Sequence, residues 1–455
     1  MSNAEETAPN PEDAQQGDRK PAVIPRPNLL PWILITVCFA LWGFANDITN
    51  PMVKAFSKIL LMSNFEGALV QTAFYGGYFV MAIPAAIFIK KTSYKSGVLV
   101  GLGLYAVGGL MFVPASWLMT FWPFLLAYFI ITCGLSFLET SCNPYILAMG
   151  PEETATQRLN FSQAFNPIGS LVGMFTASKV ILARLEAAAQ SERANMGAEE
   201  LAQVTYHDLS IIREPYVAIA LISLTLLLTI GAVAMPRPKD KYEGLDLAGT
   251  FRRLFKNKRY IEGVVAQFFY VGAQIMCWTF IIHYGAEVFT TEPFNLSEKQ
   301  AEITAFNLNI AAMVLFVTSR FICTYLLRVF RPGAMLAAFA AGGLVLTFGT
   351  IFIQGVVGLA CLVGVSGCMS LMFPTIYGIA LKGLGDDAKL GAAGLIMAIL
   401  GGSVLPPVQG WITDFGSVNL GVLTLPAVNA SFVLPAICFI VVGLYGLRTN
   451  WLHED

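Results

Sequence analysis

The chain has 455 residues, 56% of them hydrophobic and 13% charged, with a formal net charge of −1 and a positive mean hydropathy. A soluble domain needs a more wettable surface, so the composition is that of a polytopic membrane protein. It offers no basic stripe for nucleic acid. The eight cysteines (38, 133, 142, 277, 323, 361, 368 and 438) form no CxxC or Cys/His cluster. They read as buried thiols rather than a disulfide framework or a metal site.

In chain order, residues 1–29 are polar and lack the ~7–15-residue apolar core of a signal peptide, so a disordered cytoplasmic tail is expected. Apolar runs near the ~20 residues that cross a bilayer then follow at 31–56, 66–89, 96–116, 120–147, 158–184 and 214–235. A basic break, 236–259, contains Arg237, Lys239, Lys241, Arg252, Arg253, Lys256, Lys258 and Arg259. Six more runs lie at 261–289, 300–326, 332–353, 356–382, 387–411 and 425–447, before a short tail, 449–455.

Lys90, Lys91, Lys95, the basic linker, Arg328, Arg331, Lys382, Lys389 and Arg448 fall on the side of the N-terminal tail, whereas the longest opposite loop, 185–213, carries more acid than base. The positive-inside rule therefore puts both termini in the cytoplasm. The expected fold is all-α and integral to the membrane, with twelve transmembrane helices in two six-helix bundles, 30–235 and 260–448, joined by a cytoplasmic linker. A secondary transporter with its substrate site between the halves has this layout.

Polar residues inside the spans mark the candidate site. Glu139, in GLSFLETSCNPYI (134–146), is a charge at membrane depth, where it costs at least ~3 kcal/mol and marks an ion or substrate path. Asn143-Pro144 just beyond it predicts a loosened, water-reachable helix, because proline supplies no N–H. In the first span Trp42, Asn46 and Asn50 recur every four residues, with Asp47 one turn before Asn50. Asn160, Gln163 and Asn166 cover one side of the fifth helix. Such amides donate and accept, which suits the vicinal hydroxyls of a neutral ligand or, equally, interhelical hydrogen bonding.

In the seventh helix Gln267, Tyr270, Gln274 and Trp278 fall within about 80° on a helical wheel. An aromatic face can stack on sugar C–H groups while amides take the hydroxyls; for Trp278, a place facing lipid fits as well. Arg320, near the cytoplasmic end of the eighth helix, is expected to snorkel rather than to gate the cavity. His207, His283 and His453 are isolated, so no metal or histidine-based catalytic centre is expected, and the chain reads as a non-enzyme.

LWGFAN (41–46), QTAFYGGYF (71–79), KKTSYKSG (90–97), LETSCNP (138–144), RLNFSQAFN (158–166), AQFFYVGAQ with CW (266–278) and FPTIYGIALKGLG (373–385) occur in order over residues 31–448. Through them the chain resembles the sugar:proton symporters of the major facilitator superfamily, in the L-fucose branch.

The resemblance implies proton-coupled uptake of a neutral monosaccharide, L-fucose or a related hexose, across the cell inner membrane, by a monomer without cofactor. It puts the proton-linked carboxylate at Glu139 and sugar-contacting amides at Gln163 and Asn166. The first helix departs from the family pattern. The family's coupling aspartate aligns with Asn50, and Asp47 stands where the family has an amide, which makes Asp47 a second candidate for proton coupling. The substrate-binding set is Asn46, Asn50, Asn143, Gln163, Asn166, Gln267, Tyr270, Gln274 and Trp278. Sodium coupling by the same fold, and a non-transporting membrane sugar sensor, are the alternatives.

Overall fold

A computed structural model of the chain describes residues 22–62, 64–186, 190–236, 246–413, 415–419 and 424–451. Backbone N–H and C=O groups have no water to bond in hydrocarbon, so long apolar runs close their hydrogen bonds internally as helices. The first half supplies α1 (Leu29–Ile59), α2 (Asn64–Lys91), α3 (Tyr94–Leu110, continued by Phe112–Leu118), α4 (Phe121–Ala148), α5 (Ala155–Gln163, continued by Phe165–Phe175) and α6 (Ala198–Ala232). The second half supplies α7 (Lys258–Thr290), α8 (Glu298–Leu326), α9 (Pro332–Phe352), α10 (Gly355–Met369 and Met372–Leu381), α11 (Ala388–Met397 and Gly401–Thr413) and α12 (Val433–Trp451). Among the described residues, eleven helical stretches are long and apolar enough to cross a membrane; α2, with 28 residues, is the other long helix.

Side-chain caps start some of these helices where loop meets apolar run. The Ser93 hydroxyl accepts from the Ser96 amide at 3.1 Å ahead of α3. Asn257 accepts from the Tyr260 amide at 3.1 Å ahead of α7. Such a contact satisfies one of the four orphan donors of a helix start.

The structure adds local detail at three places. α6 begins at Ala198, well before 214, because its first turns are amphipathic and dock on the preceding loop, where Asp208 pairs with Arg193 at 2.5 Å and accepts from the Glu186 amide at 3.0 Å. Between α11 and α12, β1 (Ser417–Asn419) pairs antiparallel with β2 (Thr424–Pro426). The basic break is not all loop: Leu247–Lys256 forms a linker helix, capped by Asp246, whose carboxylate accepts from the Gly249 amide at 2.7 Å. Residues 237–245, including Arg237, Lys239 and Lys241, and most of the N-terminal tail lie outside the described residues.

Because successive helices alternate in direction, one face of the molecule carries the starts of α1, α3, α5, α7, α9 and α11 and the linker helix; it is called the linker face below. Contact between the halves concentrates there. The first piece of α11 packs on α2 and α4, the second piece of α10 on the first piece of α5, and α8 on both pieces of α5. The first half's apolar core accordingly runs on into Tyr377, Ala380 and Leu381 of α10 and Leu390–Ile396 of α11, whereas the second core cluster is built from the second half. The molecule is therefore closed at the linker face.

Candidate functional site

Helix rise places the polar residues in two tiers. At 1.5 Å per residue from the linker-face helix ends, Arg320, Gln163, Asn143, Glu139 and Gln267 lie about 7–14 Å deep, and Asn46, Asp47, Gln274 and Asn309 about 24–27 Å deep.

The lower tier is enclosed. Glu139 is 5% exposed on α4, and no cation pairs with it among the described residues. The Tyr78 hydroxyl of α2 lies beside its carboxyl, and Tyr377 of α10, from the other half, lies within charge range. One turn on, Asn143 donates to the Glu139 carbonyl at 2.9 Å and accepts from Gln163 Nε2 at 2.7 Å. α4 nevertheless runs unbroken through Pro144. The expected loosened, water-reachable setting for Glu139 is therefore corrected: the helix is continuous and the carboxyl buried. Asn143 is fully buried with both ends of its amide engaged, and it holds Gln163 in place.

Arg320 corrects a second expectation. It does not snorkel. Only 3% exposed, it reaches from α8 to the Gln163 carbonyl of α5 at 2.8 Å and the Ser370 carbonyl at 2.5 Å, with its guanidinium 4.5 Å from the Phe316 ring centroid. Charge-assisted bonds to two carbonyls satisfy a cation that has left water, and one of them crosses between the halves. Asn160 makes a parallel crossing, donating to Thr375 of α10 at 3.2 Å. Gln267 is fully buried, with neither amide atom hydrogen-bonded among the described residues. Native interiors rarely leave a buried amide so.

The upper tier opens away from the linker face. Asn46 and Asp47 are half-buried; Ser170 of α5 lies beside the Asp47 carboxylate, and Asn46 Oδ1 has no hydrogen-bond partner among the described residues. Asn309 of α8, which the sequence analysis did not single out, presents a likewise unbonded Oδ1. Gln274 is half-buried on α7. Trp42 packs into the first core, its ring centroid 4.2 Å from that of Phe39. Asn166 spends its donor on the Phe39 carbonyl at 3.2 Å, where α1 and α5 meet so closely that a Cβ on Gly43 would lie 2.0 Å from the Asn166 carbonyl oxygen. The Asn50 side chain lies outside the described residues.

Two α7 aromatics bond to α10. The Tyr270 hydroxyl donates to the Met369 carbonyl at 3.1 Å from a fully buried position, and so joins α7 to α10. Trp278 does not face lipid: half-buried, it meets Phe316 edge-on at 5.1 Å and donates to Ser366 at 3.3 Å. Tyr377 and Asn309 were missed for the same reason. A tyrosine in an apolar helix reads as packing, and a lone amide carries no periodic partner.

Two helical bundles meeting at one face around tiers of amides and carboxylates define a membrane transporter that exposes its site to one side at a time. The chain belongs to the Major Facilitator Superfamily, whose profile matches residues 35–405. It is 49% identical over 432 residues to the L-fucose-proton symporter of Haemophilus influenzae, covering 94% of this chain and 98% of that one. Against the L-fucose-proton symporter of Escherichia coli K12 it is 34% identical over 424 residues, covering 92% and 93%. The crystal structure of FucP, a transporter of the same superfamily in the outward conformation, superposes with a TM-score of 0.83 at 33% identity, covering 93% of this chain and 99% of FucP.

Proposed function

We propose that the chain carries a neutral monosaccharide, L-fucose or a related hexose, into the cell together with a proton. The linker face is the cytoplasmic one, in the cell inner membrane, because the basic loops gather there. The closed linker face then makes this the outward-facing state.

The observation that carries the reading is Glu139: one buried carboxyl, without a cation among the described residues, in a tier otherwise furnished with amides. A bare carboxylate in such a place is strongly disfavoured and a protonated one tolerated. Proton binding at Glu139 therefore favours closing the cavity over the sugar. Sugar binds above it, between Asn46, Asp47 and Asn166 on one side and Gln274 and Asn309 on the other. The halves then rock, the bonds of Arg320 and Asn160 across the linker face break, and sugar and proton leave inward.

In proteoliposomes, Glu139→Gln is expected to keep sugar exchange and lose accumulation driven by a pH gradient; undiminished pH-driven uptake overturns the assignment. L-Fucose added to vesicles of the native chain is expected to alkalinise the medium. A sensor gives no flux in the same assay.

Sodium coupling is the second reading, favoured by a carboxylate at Asp47 that faces the cavity near mid-membrane. Uptake at fixed pH with sodium replaced by potassium separates the two.

A further inference from the structure

The linker helix Leu247–Lys256 carries Leu247, Phe251, Leu254 and Phe255 along one side and Arg252, Arg253 and Lys256 along the other. Against its apolar side lies a groove of about 520 Å³, with none of the polar-tier residues in its walls. Its walls come from both halves: Ile83 of α2, Phe251 and Phe255 of the linker helix, Ile261 and Phe268 of α7, and Met397 of α11. The volume is that of a small-molecule site, roughly 300–1,000 Å³, but the lining is almost wholly apolar, without the convergent polar groups that would orient a sugar. Phe255, 72% exposed, stands at its mouth.

Beside the groove, the polar side of the linker helix and the start of α7 carry Arg252, Lys256 and Lys258, which are exposed and form no ion pair among the described residues. The nearby carboxylates are engaged elsewhere: Asp387 and Asp246 with Arg253, and Glu262 with Arg448. An apolar groove beneath an amphipathic helix, with cations on that helix and at the start of α7 that have no ion pair among the described residues, is complementary to an anionic lipid, whose acyl chain fills the groove and whose phosphate meets those cations.

We propose that this groove is a binding site for an anionic phospholipid of the cytoplasmic leaflet. Because Ile83 belongs to one half and the remaining walls to the linker and the other half, opening the linker face pulls the groove apart. A bound lipid therefore favours the conformation closed at that face.

The test uses the full-length chain in detergent and native mass spectrometry, with phosphatidylglycerol and phosphatidylcholine of identical acyl chains as probes. One phosphatidylglycerol is expected to be retained, with an affinity about tenfold or more above that for phosphatidylcholine. Arg252→Gln combined with Lys256→Gln and Lys258→Gln is expected to abolish the preference. Ile261→Trp, which fills the groove, is expected to abolish retention. Phe255→Ala, at an exposed position outside the core, is expected to weaken it and serves as the groove variant should the tryptophan misfold. Inorganic phosphate is expected not to displace the lipid. Equal affinity for the two lipids, a preference that survives the charge variant, retention that survives both groove variants, or displacement by phosphate each overturns the proposal.

Discussion

Arg320 and Gln163 join the two halves of the molecule: the guanidinium of α8 donates to the backbone carbonyl of α5 at 2.8 Å, at the edge of the tier that holds Glu139. Since Gln163 also binds Asn143, whose amide bonds the Glu139 carbonyl, the closure of the linker face and the setting of the candidate proton site share one chain of hydrogen bonds.

Arg320→Met deletes the cation and both carbonyl bonds in the closed state. Hydrogen bonds to charged groups contribute ~1.5–3 kcal/mol, so the closed linker face should lose roughly ten- to hundredfold in population relative to the open one. Hydrogen–deuterium exchange is expected to rise in 155–163 and 372–381, the two segments that meet there. Unchanged protection in both segments would show that the bond across the halves contributes nothing to closure.

A second set of contacts reinforces the same face. Asp387, at the start of α11, takes Arg253 of the linker helix at 2.7 Å and Thr250 at 3.1 Å, while Lys90 of α2 donates to Thr250 at 2.6 Å and stands 3.9 Å from Asp387. Arg253 is 55% exposed, so this network is worth ~1 kcal/mol or less and is screened by salt. Asp387→Asn is expected to weaken the apparent affinity for external sugar by roughly two- to fivefold at low salt. The difference from the native chain should vanish at about 1 M salt, where the screening length is about 3 Å; a difference independent of salt refutes an electrostatic latch.

Much of this architecture was legible in the sequence, and for a physical reason. Hydrocarbon imposes length and hydropathy on each helix, and the cost of a buried charge singles out Glu139 without any neighbour being known. Arg320 was not legible. From six residues inside a helix end its stem can reach outward to water or inward to carbonyls, and only the arrival of α5 decides between them. The linker helix was hidden by its charges, since ten residues with four apolar ones on a single side look like a basic loop until a groove is found beneath them. Pro144 misled in the opposite direction. It predicts a break in isolation, yet α4 continues through it, with Asn143 just before it bonded to the Glu139 carbonyl and to Gln163.

Close approach of α1 and α5 sets the upper tier. Gly43→Val puts side-chain atoms where a Cβ already lies 2.0 Å from the Asn166 carbonyl oxygen, and backbone at such a contact can only move apart. Overpacking of this kind costs about 1–3 kcal/mol. A lower unfolding temperature in detergent is expected, with weaker sugar binding because Asp47 and Ser170 face each other across the same contact. Full stability and affinity would mean that the helices have room the geometry denies them.

Asp47 and Glu139 lie about 13 Å apart along the membrane normal by helix rise, too far to share one proton, so their substitutions should separate. Asp47, half-buried, lies at about the depth of Gln274 and Asn309, where in the proposed reading its carboxylate accepts from sugar hydroxyls; a hydrogen bond to a charged group contributes ~1.5–3 kcal/mol. Asp47→Asn is therefore expected to raise the sugar concentration for half-maximal uptake at least about tenfold while leaving uptake responsive to an imposed pH gradient. Glu139→Gln should do the reverse, holding exchange and abolishing the response. If Asp47→Asn instead abolishes the pH response at saturating sugar, the proton resides on α1 in this chain. A sodium requirement in the native chain that disappears with Asp47→Asn would place the coupling ion at the upper tier.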